Sequence, residues 1–252
     1  NTVMIKAWGD NAQNFGGICG QNYTGSILNC VNTGTVYTYD GGSYTFGGIC
    51  GLNGGVASTD LNAMTADAII ANCVSNGLIY VQKNGSGDCQ QIGGVVGANK
   101  AGTTYKSMVV NCFYGSVICG SGGTPRTEQL GGVVGYNYEL ATGKAVVSNC
   151  YFATDLSHSS YGATLATEAV TGHNTAVTNT LGMTSAQMKA ASGAVLDTGV
   201  ADNKPLVDLL NGYKDGDSYP DAWNKWTVKS DAYPTFKFFA EIGSIKFKTL
   251  AD

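Results

Sequence analysis

One phrase occurs four times in the chain. It reads Phe15-Gly-Gly-Ile-Cys-Gly-Gln-Asn22, Phe46-Gly-Gly-Ile-Cys-Gly-Leu-Asn53, Ile92-Gly-Gly-Val-Val-Gly-Ala-Asn99 and Leu130-Gly-Gly-Val-Val-Gly-Tyr-Asn137. Each copy is followed by a second phrase ending in Asn-Cys: Ile27-Leu-Asn-Cys30, Ile69-Ile-Ala-Asn-Cys73, Val109-Val-Asn-Cys112 and Val146-Val-Ser-Asn-Cys150. Three of these run on through a glycine into another apolar run, at Gly34-Thr-Val36, Gly77-Leu-Ile79 and Gly115-Ser-Val117. The repeat starts at Gly16, Gly47, Gly93 and Gly131 are 31, 46 and 38 residues apart. Self-similarity on that scale means that one unit cannot bury its apolar face alone and that stacked neighbours complete the core.

The apolar runs inside each unit are too short for helices and suit short strands. The phrases keep their length while the segments between them vary, which places the insertions in loops at the corners of a coil. The chain is therefore predicted to be mainly all-β, a parallel β-solenoid of about four rungs with two or three short strands per rung. Equivalent residues then stack at about the 4.8 Å strand spacing. Glycine supplies positive φ or close backbone approach at corners. The columns Asn22, Asn53, Asn99, Asn137 and Asn29, Asn72, Asn111, Asn149 are expected to form side-chain amide ladders that satisfy turn backbone groups.

The pattern Gly-Gly-(Ile/Val)-(Cys/Val)-Gly-x-Asn, then Asn-Cys and Gly-x-(Val/Ile), resembles the GLUG-motif family over residues 15 to 152. That family's repeats occur in bacterial secreted and cell-surface proteins and in some immunoglobulin A peptidases. The second copy departs from it by a long insert, Gly54 to Ala68, and the fourth lacks the glycine after Cys150. The resemblance implies a surface or secreted setting and a binding or spacer role, and it carries no catalytic residues.

Composition narrows the field further. With a net charge of −4 and a single arginine, Arg126, the chain lacks the clustered cations that phosphate backbones require, so nucleic acid is not an expected partner. No run approaches the ~20 apolar residues of a membrane span, so no direct insertion is expected. Thr2 to Ala7 reads like the strand that follows Asn-Cys elsewhere, so the chain is expected to enter partway round a coil. Of eight cysteines, Cys30, Cys73, Cys112 and Cys150 share one repeat position and Cys19 with Cys50 another. Parallel side chains in such columns keep Cβ atoms about a rung apart, beyond the usual ~3.5–4.5 Å of a disulfide, so buried thiols are expected. Cys89 and Cys119 lie outside the columns, and whether they are bridged is open.

The domain boundary is set at residue 157, with the repeat solenoid over 1–157 and a small α+β capping region over 158–252. Residues 157 to 182 read as an irregular last coil or a wrapped linker. Thr184 with Gln187 makes a capping box, and a second helix is predicted over Lys204 to Asn211, opened by Pro205 and ended by Gly212. The aromatic stretch from Trp223 to Phe239 has strand character, and Ile242 to Leu250 could add one more strand. This region is expected to cover an open end of the solenoid, where unpaired strand edges invite aggregation.

Chemistry has few footholds. Gly-Gly-x-x-Gly lacks the order and the lysine of nucleotide-binding loops. The seven acids of the first 150 residues, Asp10, Asp40, Asp60, Asp67, Asp88, Glu128 and Glu139, share no column, unlike a paired-carboxylate glycosidase site. His158 and His173 form no recognisable triad with the serines near them, and no zinc spacing is present. Asp215, Asp217 and Asp221 lack the full calcium-loop pattern. No catalytic, cofactor or metal residue is assigned, and none of those groups is expected. Tyrosine is the suggestive residue, with 14 copies, several in or beside the repeats. Tyr136 and Tyr138 are the candidate binding residues, because tyrosine joins contact area to a polar tip. Tyr37 and Tyr80, each seven residues after a repeat cysteine, read as a stacking pair between rungs. The expected function is a non-catalytic extracellular binding, adhesion or rigid presenting module of a bacterial surface or secreted protein. Its partner would be a host or bacterial surface protein or glycan. The alternative is an accessory domain of a larger secreted enzyme such as a peptidase.

Overall fold

The computed structural model describes residues 1, 3–8, 13–39, 45–55, 57–82, 91–121, 129–156, 170–172, 176–196, 203–214 and 220–237. Each repeat unit makes one coil, and each of the first three turns through five short parallel strands rather than two or three, while the fourth shows four among the described residues. Face 1 stacks Asn14–Gly16, Thr45–Gly47, Gln91–Gly93 and Leu130–Gly131. Face 2 stacks Cys19–Asn22, Cys50–Gly54, Val96–Ala101, Val134–Glu139 and Val170–Gly172. Face 3 stacks Gly25–Leu28, Ala68–Ala71, Ser107–Val110, Ala145–Ser148 and Val177–Thr178. Face 4 stacks Val31–Asn32, Val74–Ser75, Phe113–Tyr114, Tyr151–Ala153 and Leu181–Met183. Face 5 stacks Ile5–Trp8, Val36–Tyr39, Ile79–Gln82 and Ile118–Ser121. The strand count exceeds the expected one because a corner follows nearly every apolar pair, and strands as short as two residues still pair in register.

The corners divide the work between Gly and Asn. At Asn29, Asn72, Asn111 and Asn149 the backbone is left-handed, with φ between 52° and 56°. Asn tolerates that region better than other side chains and spends its amide on the neighbouring coil. The glycines of the Gly-Gly pair have ordinary φ. They are there for close approach: a Cβ on Gly47 would lie 2.0 Å from the Cys50 carbonyl oxygen, and one on Gly94 2.3 Å from Cγ of Tyr114. The column facing the second glycine is Asn32, Ser75, Tyr114 and Phe152, which fills the space that a missing Cβ leaves.

Inside the coil, Phe46, Ile49, Ile70, Ile92, Val95, Val109, Val133 and Val147 form one continuous core with the cysteine column. Cys19, Cys30, Cys50, Cys73, Cys112, Cys119 and Cys150 are free thiols, while Cys89 lies outside the described residues. The repeat thiols have a task that explains them without a disulfide. Each thiol of the Asn-Cys column donates to the carbonyl two residues back, at 3.3 Å from Cys30 to Leu28 and 3.2 Å from Cys73, Cys112 and Cys150 to Ala71, Val110 and Ser148, while Cys19 and Cys50 donate two residues ahead.

Parallel stacking does not stop at residue 157. Val170–Gly172, Val177–Thr178 and Leu181–Met183 add to faces 2, 3 and 4 in parallel, so a fifth, partial coil runs to Met183. It contains a fifth corner, Asn179 with φ of 48°, followed by Thr180 where the other copies have cysteine. The Thr180 hydroxyl donates to the Thr178 carbonyl at 3.0 Å, the thiol's bond made by oxygen.

Helix α1 (Ser58–Asn62) lies in the insert of the second repeat, and the α+β region after the stack holds α2 (Ser185–Met188) and α3 (Leu206–Asn211). The capping box at α2 is as read: Thr184 Oγ1 accepts from the Gln187 amide at 3.2 Å, and Gln187 Oε1 accepts from the Thr184 amide at 2.7 Å. Trp226–Thr227 and Thr235–Phe236 pair antiparallel. The described residues of the region pack against one side of the stack, not across an end. It lies along the outside of face 4, where Val74, Phe113, Tyr151 and Ala153 pack with Met183, Met188, Leu206, Leu210, Trp226 and Phe236. The reason is in the strands: Phe113-Tyr114 and Tyr151-Phe152 are apolar on both sides, and a strand of that kind needs a second cover. The expected strand over Ile242 to Leu250 lies outside the described residues.

Candidate functional site

Face 2 carries the two tyrosines singled out from the sequence. Tyr136 and Tyr138 flank Asn137, and strand alternation sends both rings to the side opposite its buried amide. The rings stack, with centroids 6.0 Å apart and planes 15° from parallel. Register places Lys100 beside Tyr138 and Ala98 beside Tyr136, and Lys100 Nζ lies 6.0 Å from the Tyr136 ring centroid, within cation–π range. Burial lowers the Lys100 pKa and raises that of Tyr136, each held closer to its neutral form.

The strand beneath this pair is held rigidly. Asn22 Nδ2 donates to Asn53 Oδ1 at 2.8 Å, Asn53 to Asn99 at 2.9 Å and Asn99 to Asn137 at 2.8 Å, each donor pointing to the following coil. Each amide also donates across the corner to face 3, as from Asn99 to the Ser107 carbonyl at 3.0 Å and from Asn137 to that of Ala145 at 2.9 Å. Next to the tyrosines, α1 folds back over the neighbouring coil. Leu61, Met64 and Ala68 form a small second core with Tyr23, Tyr105, Tyr138 and Leu140 packed against it. Tyr138 therefore does structural work, while Tyr136 stands between Lys100 and Gly172, whose missing side chain leaves room for the ring.

The other tyrosines separate. Tyr37 and Tyr80 stack at 5.1 Å and 5° on face 5, the pair expected between rungs, with Lys6 Nζ 5.8 Å from the Tyr37 centroid. Lys100 went unnoticed in the sequence, although aligning Ala98-Asn99-Lys100 with Tyr136-Asn137-Tyr138 places it on this surface. The insert helix α1 went unnoticed as well.

The three described carboxylates of the first 150 residues have local tasks. Asp60 Oδ2 accepts from the Ala57 amide at 3.2 Å, Asp67 from that of Lys106 at 2.7 Å, and buried Glu139 from those of Lys144 and Ala145 at 2.8 and 3.0 Å. His158, His173, Asp215 and Asp217 lie outside the described residues. Among the described residues no group of three or more His, Cys, Asp or Glu could hold a metal, and no helix is long and apolar enough to cross a membrane.

Comparison with protein families places a match to the GLUG motif at residues 11–37, the first complete coil of the stack. Residues 11–37 carry a GLUG motif. Register extends the GLUG unit from that coil to the rest: Phe15, Phe46, Ile92 and Leu130 pair in one column, and Asn22, Asn53, Asn99 and Asn137 in another. Neither the comparison with curated proteins nor that with solved structures gives a match.

Proposed function

We propose that this GLUG-repeat chain is a non-catalytic extracellular module that binds a surface protein or glycan, or presents one rigidly, for a bacterial surface or secreted protein. The observation that carries the reading is the Tyr136–Tyr138 stack with Lys100 beside it, on a strand locked from below by the Asn22–Asn137 ladder. Planar rings on a stiff strand offer contact area at little ordering cost, and a cation at their edge adds a polar anchor. Asp60, Asp67 and Glu139, the described acids of the first 150 residues, hold backbone amides instead of facing one another, which favours binding over hydrolysis.

A glycan and extracellular-matrix protein array with the purified chain tests this. Saturable binding that weakens about tenfold or more, some 1.4 kcal/mol, in Tyr136→Ala and in Lys100→Gln is the expected result. Tyr138→Phe, which keeps the packing against Leu61 and Met64, should bind nearly as the parent does unless its hydroxyl takes part. Binding indifferent to Tyr136→Ala would move the surface elsewhere, and no binding at high micromolar concentration would leave a presenting role alone.

A further inference from the structure

Lys100 differs from the other lysines that lie near a ring. Lys6, beside Tyr37, is exposed, and Lys189, 5.2 Å from the Tyr233 centroid, also reaches Asp231 at 3.9 Å. Lys100 is half-buried, and among the described residues no carboxylate pairs with it and no oxygen accepts from its Nζ. Burial lowers its pKa with no opposing cause, as expected of an ammonium that has given up water without gaining an anion. The described acids of the repeat region are engaged elsewhere, Asp60 and Asp67 with the Ala57 and Lys106 amides and Glu139 with those of Lys144 and Ala145. Lys144 has an oxygen partner of its own, the Thr104 carbonyl at 2.7 Å. A cation in the state of Lys100 is stabilised by whatever brings it a negative charge.

The surroundings narrow what can carry that charge. Lys100 aligns with Tyr138, yet its Nζ lies 6.0 Å from the Tyr136 centroid, so the side chain leans back along the strand toward the ring pair. The ammonium and two nearly parallel rings thus share one patch, and both tyrosines are half-buried. The backbone beneath is occupied. Val134 and Asn137 pair with Val96 and Asn99 on one side and with Val170 and Gly172 on the other. An extended peptide therefore finds no free strand edge there, and recognition falls to side chains. Sugar rings suit such a surface, because their C–H faces lie against aromatic rings while their hydroxyls meet polar tips.

We propose that this patch takes an acidic glycan, with a sugar ring against Tyr136 and a ring-borne carboxylate or sulfate on the Lys100 ammonium. The inference rests on the reading of Tyr136 as the binding surface and adds the charge of what binds there. The ligand's anion supplies the counter-charge that the described part of the chain withholds from Lys100, through a charge-assisted hydrogen bond. Acidity, more than the identity of the sugar, then sets the preference.

Matched probes that differ only in the anion test this by titration calorimetry: oligogalacturonate against its methyl ester, and dextran sulfate against dextran. The parent chain should bind the acidic member of at least one pair about tenfold or more tightly than the neutral one, and the pair that responds tells carboxylate from sulfate. Lys100→Gln should remove that preference and Lys100→Arg should keep it, while Tyr136→Ala should weaken the acidic probe about tenfold. Equal binding of acidic and neutral members, or a preference that survives Lys100→Gln, would overturn the proposal and leave Tyr136 as a binding surface. Poly-glutamate bound as tightly as the acidic glycan, and through Lys100, would overturn it by making an acidic protein the partner. If no probe binds but another array ligand does, and Tyr136→Ala weakens it, the acidic glycan alone is wrong. No binding across the whole array would remove the underlying reading with it.

Discussion

Asn111 carries two tasks at once. Its backbone sits at φ of 54°, and its side chain donates to Asn72 Oδ1 at 2.8 Å while accepting from Asn149. Alanine would lose both, with about 1–2 kcal/mol from left-handed strain and a comparable amount for each buried amide left unpaired. Asn111→Gly would recover the first part alone, so urea unfolding should rank Asn111→Ala below Asn111→Gly and both below the parent. Asn99→Ala, at an ordinary φ, should cost about 3 kcal/mol through the ladder alone. The thiols differ among themselves in a measurable way. The Cys50 thiol beside it holds the Cys19 pKa down to about 6, and burial pushes Cys73 and Cys112 up. Thiolate forms at Cys19 as pH rises through about 6, so timed alkylation at pH 7 with mass spectrometry should label Cys19 first. Cys73 and Cys112 should react only when the chain unfolds. Equal rates for all three would contradict this environment.

Elements show where the sequence was legible and where it was silent. Both Asn columns, the cysteine column, the capping box at Thr184 and the Tyr37–Tyr80 stack could be read in advance, because each follows from aligning identical phrases or from a local motif. For residues 157 to 182 the sequence left a last coil and a wrapped linker both open, because Thr180 replaces cysteine, although Val177-Thr178-Asn179 keeps the corner. The cap's position was missed because its cause is non-local: face 4 is apolar on its outer side, and only tertiary structure brings Trp226 to it. That element is tied to the ladder as well as to the sheet. Trp226 Nε1 donates to Asn72 Oδ1 at 2.6 Å, and the ring lies 4.3 Å from Phe236 and 5.5 Å from Phe113. Trp226→Ala is expected to cost about 3–5 kcal/mol in denaturant and to bare the outer side of face 4 to a hydrophobic dye. Trp226→Phe, which keeps the rings and loses one hydrogen bond, should cost much less. Of the candidate site, Tyr136 and Tyr138 were singled out one by one, and their stacking follows from i, i+2 places on one strand. The share of Tyr138 taken up by α1 was not, since an insert's folding leaves no repeat signal.

At the scale of the molecule, the chain is a stack whose coils each lean on the next, with one lateral brace running from the fifth coil back to the first. Ala222 and Asn224 reach the Asn29 corner, 193 and 195 residues away in sequence. A stack built from nearest-neighbour contacts frays from its ends unless something spans them. The brace does so on one flank. Two continuous amide ladders, shielded from water, hold the coils in register. The most direct measurement is hydrogen exchange of the asparagine side-chain amides, followed by NMR on the intact protein. The inner rungs, Asn53, Asn72, Asn99 and Asn111, are expected to exchange orders of magnitude more slowly than solvent-exposed asparagines, with Asn22 and Asn29 at the outer coil faster. Exchange of the inner amides at the rate of exposed ones, with no gradient along the stack, would contradict the ladders and the solenoid built on them.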